Sequence, residues 1–275
     1  MQTNQEIRLY VNKNITGKRG IIFLALFIIS AITGVFTSFI DTNNEGLQSL
    51  IDLVISGLTT PLIVGFYKLL IDLINNKKAN IGQLFDYYKY IYPLFFVGIL
   101  ANIVIALASI FIVPGIILSI IYTGALYIFA VHPTNDFRFL SKASEKLKNK
   151  KMQFFTLSLS YVWPIILIFF IYLVILICNL LLSGVSLPNL VGDTFMWNAA
   201  GNVLFSSLII VVLSVALAIT LVTYTIIVIP KLNLAVARFM MLAVIPEEKV
   251  EDHFCPNCGT KVETLYCTNC GTKVE

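Results

Sequence analysis

Apolar residues in this chain come in long unbroken blocks, and block length carries the first inference. A helix rises 1.5 Å per residue, so about 20 apolar residues cross a hydrocarbon layer of about 30 Å. Six blocks come close to that length or exceed it: residues 20–40, 53–74, 93–113, 115–131, 154–182 and 203–229. The third and fourth are divided only by Pro114-Gly115 in "IFIVPGIILS". Together they run from 93 to 131, nearly twice one crossing, which predicts a helical hairpin over one kinked helix. The pattern predicts an all-α polytopic membrane domain with six transmembrane helices over residues 1–245.

Each odd-numbered block is preceded by a basic, mildly amphipathic lead-in: "QEIRLYVNKNITGKRG", "NIGQLFDYYKYIYP" and "DFRFLSKASEKLKNKKMQ". In the last, Phe139, Ala143 and Leu147 fall at i, i+4 and i+8 on one helical face, while Lys142, Glu145, Lys146 and Lys150 point elsewhere. This predicts a helix in the headgroup plane with its lysines toward anionic lipid, against the plainer reading of a solvated loop. Lead-in plus hairpin recurs three times, which suggests an internal repeat, although the copies share little identity.

Composition agrees: 58% of the 275 residues are hydrophobic and 12% charged, against roughly 25% charged in soluble domains. The first block is too long for a signal-peptide core and lacks a small-residue cleavage site, so it reads as a retained span. The net charge of +4 matters less than its distribution. The N-terminus, residues 75–92, residues 132–153 and the residues from Lys231 onward hold 18 of the 19 Lys and Arg, while the connections at 41–52 and 183–202 hold none. Because basic residues collect on the cytoplasmic side, both termini are expected in the cytoplasm at the cell membrane. A five-span alternative would put the loop with Arg138, Lys142, Lys146, Lys148, Lys150 and Lys151 outside.

The tail raises a separate chemistry. After a polar linker at 246–253 ("PEEKVEDH"), residues 254–275 carry Cys255-x-x-Cys258 and Cys267-x-x-Cys270, each pair followed by glycine. Four thiolates satisfy a tetrahedral Zn²⁺, and a C-x-x-C turn places both sulfurs on one side of the ion. We therefore expect a four-cysteine zinc ribbon holding one structural Zn²⁺ per chain. With all four positions taken by sulfur, none is open to a reacting water. A thioredoxin-like pair needs a βαβ context that so short a segment does not supply, and disulfides need an oxidising compartment. His253 reads as a solvated side chain beside a complete ligand set.

Within the blocks, Lys68 and Asp72 stand at i and i+4. They read either as an ion-pathway pair or as a snorkelling lysine neutralised by its neighbour. Asn102 and Asn179 suit interhelical hydrogen bonds, Cys178 reads as a small buried residue and His132 as an interfacial one. Tyr87, Tyr88, Tyr90, Tyr92, Tyr161 and Trp163 suit an aromatic belt. No phosphate loop, nucleophile elbow or His–carboxylate cluster is present. The chain reads as not an enzyme.

The stretches "LFDYYKYIYPLFF", "IFIVPGIILSIIYTGALYIFAVHP", "SKASEKLKNKKMQFFTLSLSYVW" and "IVIPKLNLAVARFMML" resemble a bacterial membrane-protein family catalogued as domain of unknown function 975. That family is distantly similar to the membrane domain of certain glycerophosphodiester phosphodiesterases. The resemblance covers residues 6–245 and implies fold and location, with no stated activity. Two positions depart from the family pattern: His132 stands where an Asp is common, and Lys231 follows Pro230 where a Tyr is common. The tail separately resembles short bacterial zinc ribbons.

The expected function is that of a membrane-embedded interaction or regulatory protein, with lipid around its spans and an unidentified cytoplasmic or membrane protein docked on the ribbon. A transporter or channel lined by Lys68, Asp72, Asn102 and Asn179 is the first alternative, and a membrane-protective resistance or immunity protein the second. Nucleic acid is not an expected partner, because Lys261 and Lys273 are offset by Glu263 and Glu275.

Overall fold

The structure, a computed structural model, describes residues 2–39, 45–134, 136–182 and 200–245, and in the tail 253–254, 257–258, 261–262 and 269–270. Helix α1 (Asn4–Asn14) opens with a capping box. The Thr3 hydroxyl accepts from the Glu6 N–H while the Glu6 carboxylate accepts from the Thr3 N–H, satisfying two of the donors that a helix start leaves open. Gly17, at φ 79°, allows the chain to turn where a side chain would be strained, and α2 (Arg19–Phe39) follows. Then come α3 (Glu45–Ile74), a 3-10 segment at Ile81–Tyr90, α4 (Ile91–Ser109), α5 (Ile112–Val131), α6 (Arg138–Lys146), α7 (Lys151–Leu182) and α8 (Ala200–Ala243). In the tail, β1 (His253–Phe254) pairs antiparallel with β2 (Lys261–Val262).

Six of these stretches are long and apolar enough to cross a membrane, the make-up of a multi-pass membrane protein. The helices outrun the apolar blocks: α3 begins at Glu45 and α8 continues through Lys231 and Arg238 to Ala243. The turn of the α4–α5 hairpin falls at Ile110-Phe111, ahead of Pro114-Gly115. Pro114 instead occupies the first turn of α5, where its missing N–H would have had no helical partner. Gly115 lets the arms meet, since a Cβ there would lie 2.6–3.2 Å from Ser109.

The helices form three units, each a lead-in segment, an outgoing helix and a returning helix. Outgoing helices α2, α4 and α7 pack on their returning partners α3, α5 and α8, and the three returning helices touch one another at the centre. Each lead-in also packs on the returning helix of the preceding unit: the 3-10 segment on α3, α6 on α5, and α1 on α8, closing the ring. Small residues permit the crossings. A Cβ on Gly65 of α3 would lie 2.5 Å from the Leu84 carbonyl oxygen, and one on Gly124 of α5 would lie 2.6 Å from a Leu147 methyl.

The third lead-in is helical with Phe139, Ala143 and Leu147 on one face, all buried. That face meets protein: α6 turns back along α5, with Phe139 edge-on to Phe129 at 5.1 Å and Leu147 at Gly124. The core gathers towards the ends of the returning helices, at 62–74 of α3, 124–130 of α5 and 234–243 of α8 with Val244 just beyond it. At the other end, Phe169, Phe170 and Ile171 of α7 and Val211, Val212 and Val215 of α8 are exposed.

Candidate functional site

Where the returning helices end, their last carbonyls lack the i+4 N–H partner of a continuing helix, and each lead-in supplies a further donor from its own unit. In the first unit, the Lys18 ammonium donates to the Leu73 carbonyl at 2.8 Å and to Asn76 Oδ1 at 2.9 Å, and the Tyr10 hydroxyl donates to the Ile74 carbonyl. In the second, the Tyr87 hydroxyl donates to the Ala130 carbonyl. In the third, Lys146 donates to Val244 at 2.7 Å and Lys150 to Ala243 at 3.1 Å. A cation there also meets the negative end of the helix dipole. Arg238 stacks over Tyr10 at 4.5 Å and bonds Gln2, tying the ends of the helical region together.

Lys68 and Asp72 do form an ion pair, with Nζ 3.3 Å from Oδ1. The second Asp72 oxygen accepts from Gln83 Nε2 at 3.2 Å, so the pair ties α3 to the 3-10 segment. Asn102 donates to Ser56 Oγ and to the Gly98 carbonyl. Ser56 precedes Lys68 by twelve residues on α3, about 18 Å along a helix, so these polar groups sit at separate levels. The side chains of Cys178 and Asn179 lie outside the described residues. The aromatic set divides: Tyr92 and Trp163 are exposed, whereas Tyr87 and Tyr161 are buried and Tyr88 donates to the Leu58 carbonyl.

In the tail, Cys255 and Cys267 lie outside the described residues, while Cys258 and Cys270 are exposed in turns at 257–258 and 269–270. Among the described residues no group of three or more His, Cys, Asp or Glu gathers to hold a metal. The β1–β2 pairing, His253 with Val262 and Phe254 with Lys261, brackets the first C-x-x-C pair in a hairpin. Both second cysteines occupy turns, twelve residues apart. Thiols in C-x-x-C pairs are soft donors, and that donor chemistry suits Zn²⁺.

One concave site was not anticipated. A cavity of about 490 Å³ opens between the end of α5, α6 and the end of α8. It is lined by His132, Thr134, Asp136, Arg138, Lys142 and Lys146, with an apolar wall of Ile128, Phe139, Val244 and Ile245. Its sequence signal was the i, i+4, i+8 spacing of Arg138, Lys142 and Lys146, one helical stripe of positive charge. Burial, then the neighbouring Lys142 and Lys150 ammonium groups, push the Lys146 ammonium below the usual lysine range, with Glu145 opposing.

Compared with protein-family models, with curated proteins and with solved structures, the chain finds no match.

Proposed function

We propose that this chain is a non-enzymatic interaction or regulatory protein of the bacterial cell membrane. Its six helices anchor a zinc ribbon at residues 254–275 in the cytoplasm, where Cys255, Cys258, Cys267 and Cys270 hold one structural Zn²⁺. The β1–β2 hairpin around the first C-x-x-C pair carries the reading, together with the repeated cysteine phrase. The basic lead-ins support a cytoplasmic orientation, and the resemblance to the family of unknown function 975 is in keeping with it. So short a ribbon buries too little to fold alone, so metal binding and folding are one event. Tethering to the bilayer raises its local concentration for a membrane-associated protein partner.

Metal analysis of the reduced, purified full chain tests this. One zinc per chain is expected, lost in Cys255→Ser and Cys267→Ser, together with partner capture from membranes. Less than one zinc per wild-type chain overturns the ribbon, and undiminished capture by the serine variants overturns the docking role.

A further inference from the structure

We propose that the cavity between α5, α6 and α8 binds the phosphate-bearing headgroup of an anionic phospholipid. Three observations carry it: the charge imbalance of the lining, the length of the basic row, and the apolar wall behind it.

The lining holds Arg138, Lys142, Lys146 and His132 against a single carboxylate, Asp136. That carboxylate is already engaged. Its Oδ2 lies 3.4 Å from Arg138 Nε, and its Oδ1 accepts from the Thr134 hydroxyl and the Arg138 N–H. Among the described residues, no carboxylate lies within ion-pair distance of Lys142 or Lys146. Lys146 commits one hydrogen to the Val244 carbonyl and, as an ammonium, has two more to donate. An anion seated between them relieves the mutual repulsion of these lysines and satisfies those donors.

From Arg138 to Lys146 the row runs eight residues, about 12 Å along a helix. That is longer than one phosphate group, and matches a phosphodiester with the polar headgroup beyond it. Ile128, Phe139, Val244 and Ile245 give the same cavity an apolar side, which free phosphate does not need and a glycerol–acyl junction does. The site lies at the ends of α5 and α8, both long and apolar enough to cross a membrane, where headgroups are found. Basic pockets between helix ends on one membrane face suit anionic headgroups. The volume falls in the range of small-molecule sites.

Native mass spectrometry of the full chain, released from micelles containing phosphatidylglycerol or phosphatidylcholine, tests this. The wild type should retain phosphatidylglycerol preferentially. Lys142→Gln should weaken retention about fivefold, and Lys142→Gln with Lys146→Gln about thirtyfold. Lys148→Gln, on the same loop and outside the cavity lining, should leave it unchanged. Lys142 makes no structural hydrogen bond among the described residues, so its variant stays informative if loss of the Lys146 contact to α8 disturbs folding. Equal retention of both lipids, or equal loss in the Lys148 variant, overturns the site. Displacement of phosphatidylglycerol by millimolar inorganic phosphate alone overturns the lipid assignment in favour of a soluble phosphate.

Discussion

The two ends of the helical bundle are built on different principles. At the ends of α3, α5 and α8, lead-in segments fold back on the returning helices, glycines bring backbones together, and Lys18, Tyr87, Lys146 and Lys150 close open carbonyls. At the other end, long stretches of α7 and α8 expose apolar side chains, and hydroxyls such as Thr220 and Thr223 bond back to their own helix. The first end is specified by protein partners. The second has the surface of a segment whose solvent is lipid, where every backbone group is satisfied within its own helix.

That contrast can be broken by substitution. The largest effect should come from Gly65→Leu, because the added atom meets the backbone of Leu84 at 2.5 Å. Overpacking against backbone should cost about 3 kcal/mol or more. Gly34→Leu, with nothing within 4 Å of its Cβ position, should stay within about 0.5 kcal/mol of wild type. Thermal unfolding in detergent compares the two, and equal destabilisation would mean that the ends are not different. Lys18→Met, losing a charged hydrogen bond to the end of α3, should cost about 1.5 kcal/mol in the same assay. Tyr87→Phe removes only the hydroxyl on Ala130 and should cost about 1 kcal/mol. Asp72→Asn should cost least, about 0.5 kcal/mol, since the Lys68 side chain is one-third exposed and water or headgroups screen the pair. A drop in solute flux in proteoliposomes with normal folding would reassign Asp72 to a transport path.

Hydropathy made the six long helices legible, and the face of Phe139, Ala143 and Leu147 was legible from spacing alone. The partner of that face was not, because an amphipathic pattern reports what a face avoids and not what covers it. Lipid and the flank of α5 are equally apolar, and only Gly124 marks the crossing. The end of the last helix was displaced because its apolar block was closed before Lys231, whereas the hydrogen-bond ladder of α8 continues past that residue to Ala243. The same lysines that signal orientation by composition also bond helix ends, a role that depends on contacts ninety or more residues away in sequence. For the cysteines, spacing supplied the proposed donor set, and the described residues add only the strand pairing that flanks the first pair.

Closing the ring through α1 has a consequence for the order of assembly. Asn4 bonds Gln153 and Thr156, and Gln2 meets Gln153 and Arg238, at sequence separations of 149 to 236 residues. At 5–20 residues per second of synthesis, α1 waits roughly ten to fifty seconds for the last of these partners to leave the ribosome. The second and third lead-ins emerge directly after the helix they pack against. The segment made earliest among the helices is therefore the last to complete its contacts, and a nascent chain halted after α5 should leave α1, held there through Tyr10 on Ile74 and the adjacent Lys18 on Leu73, more open to protease than the 3-10 segment.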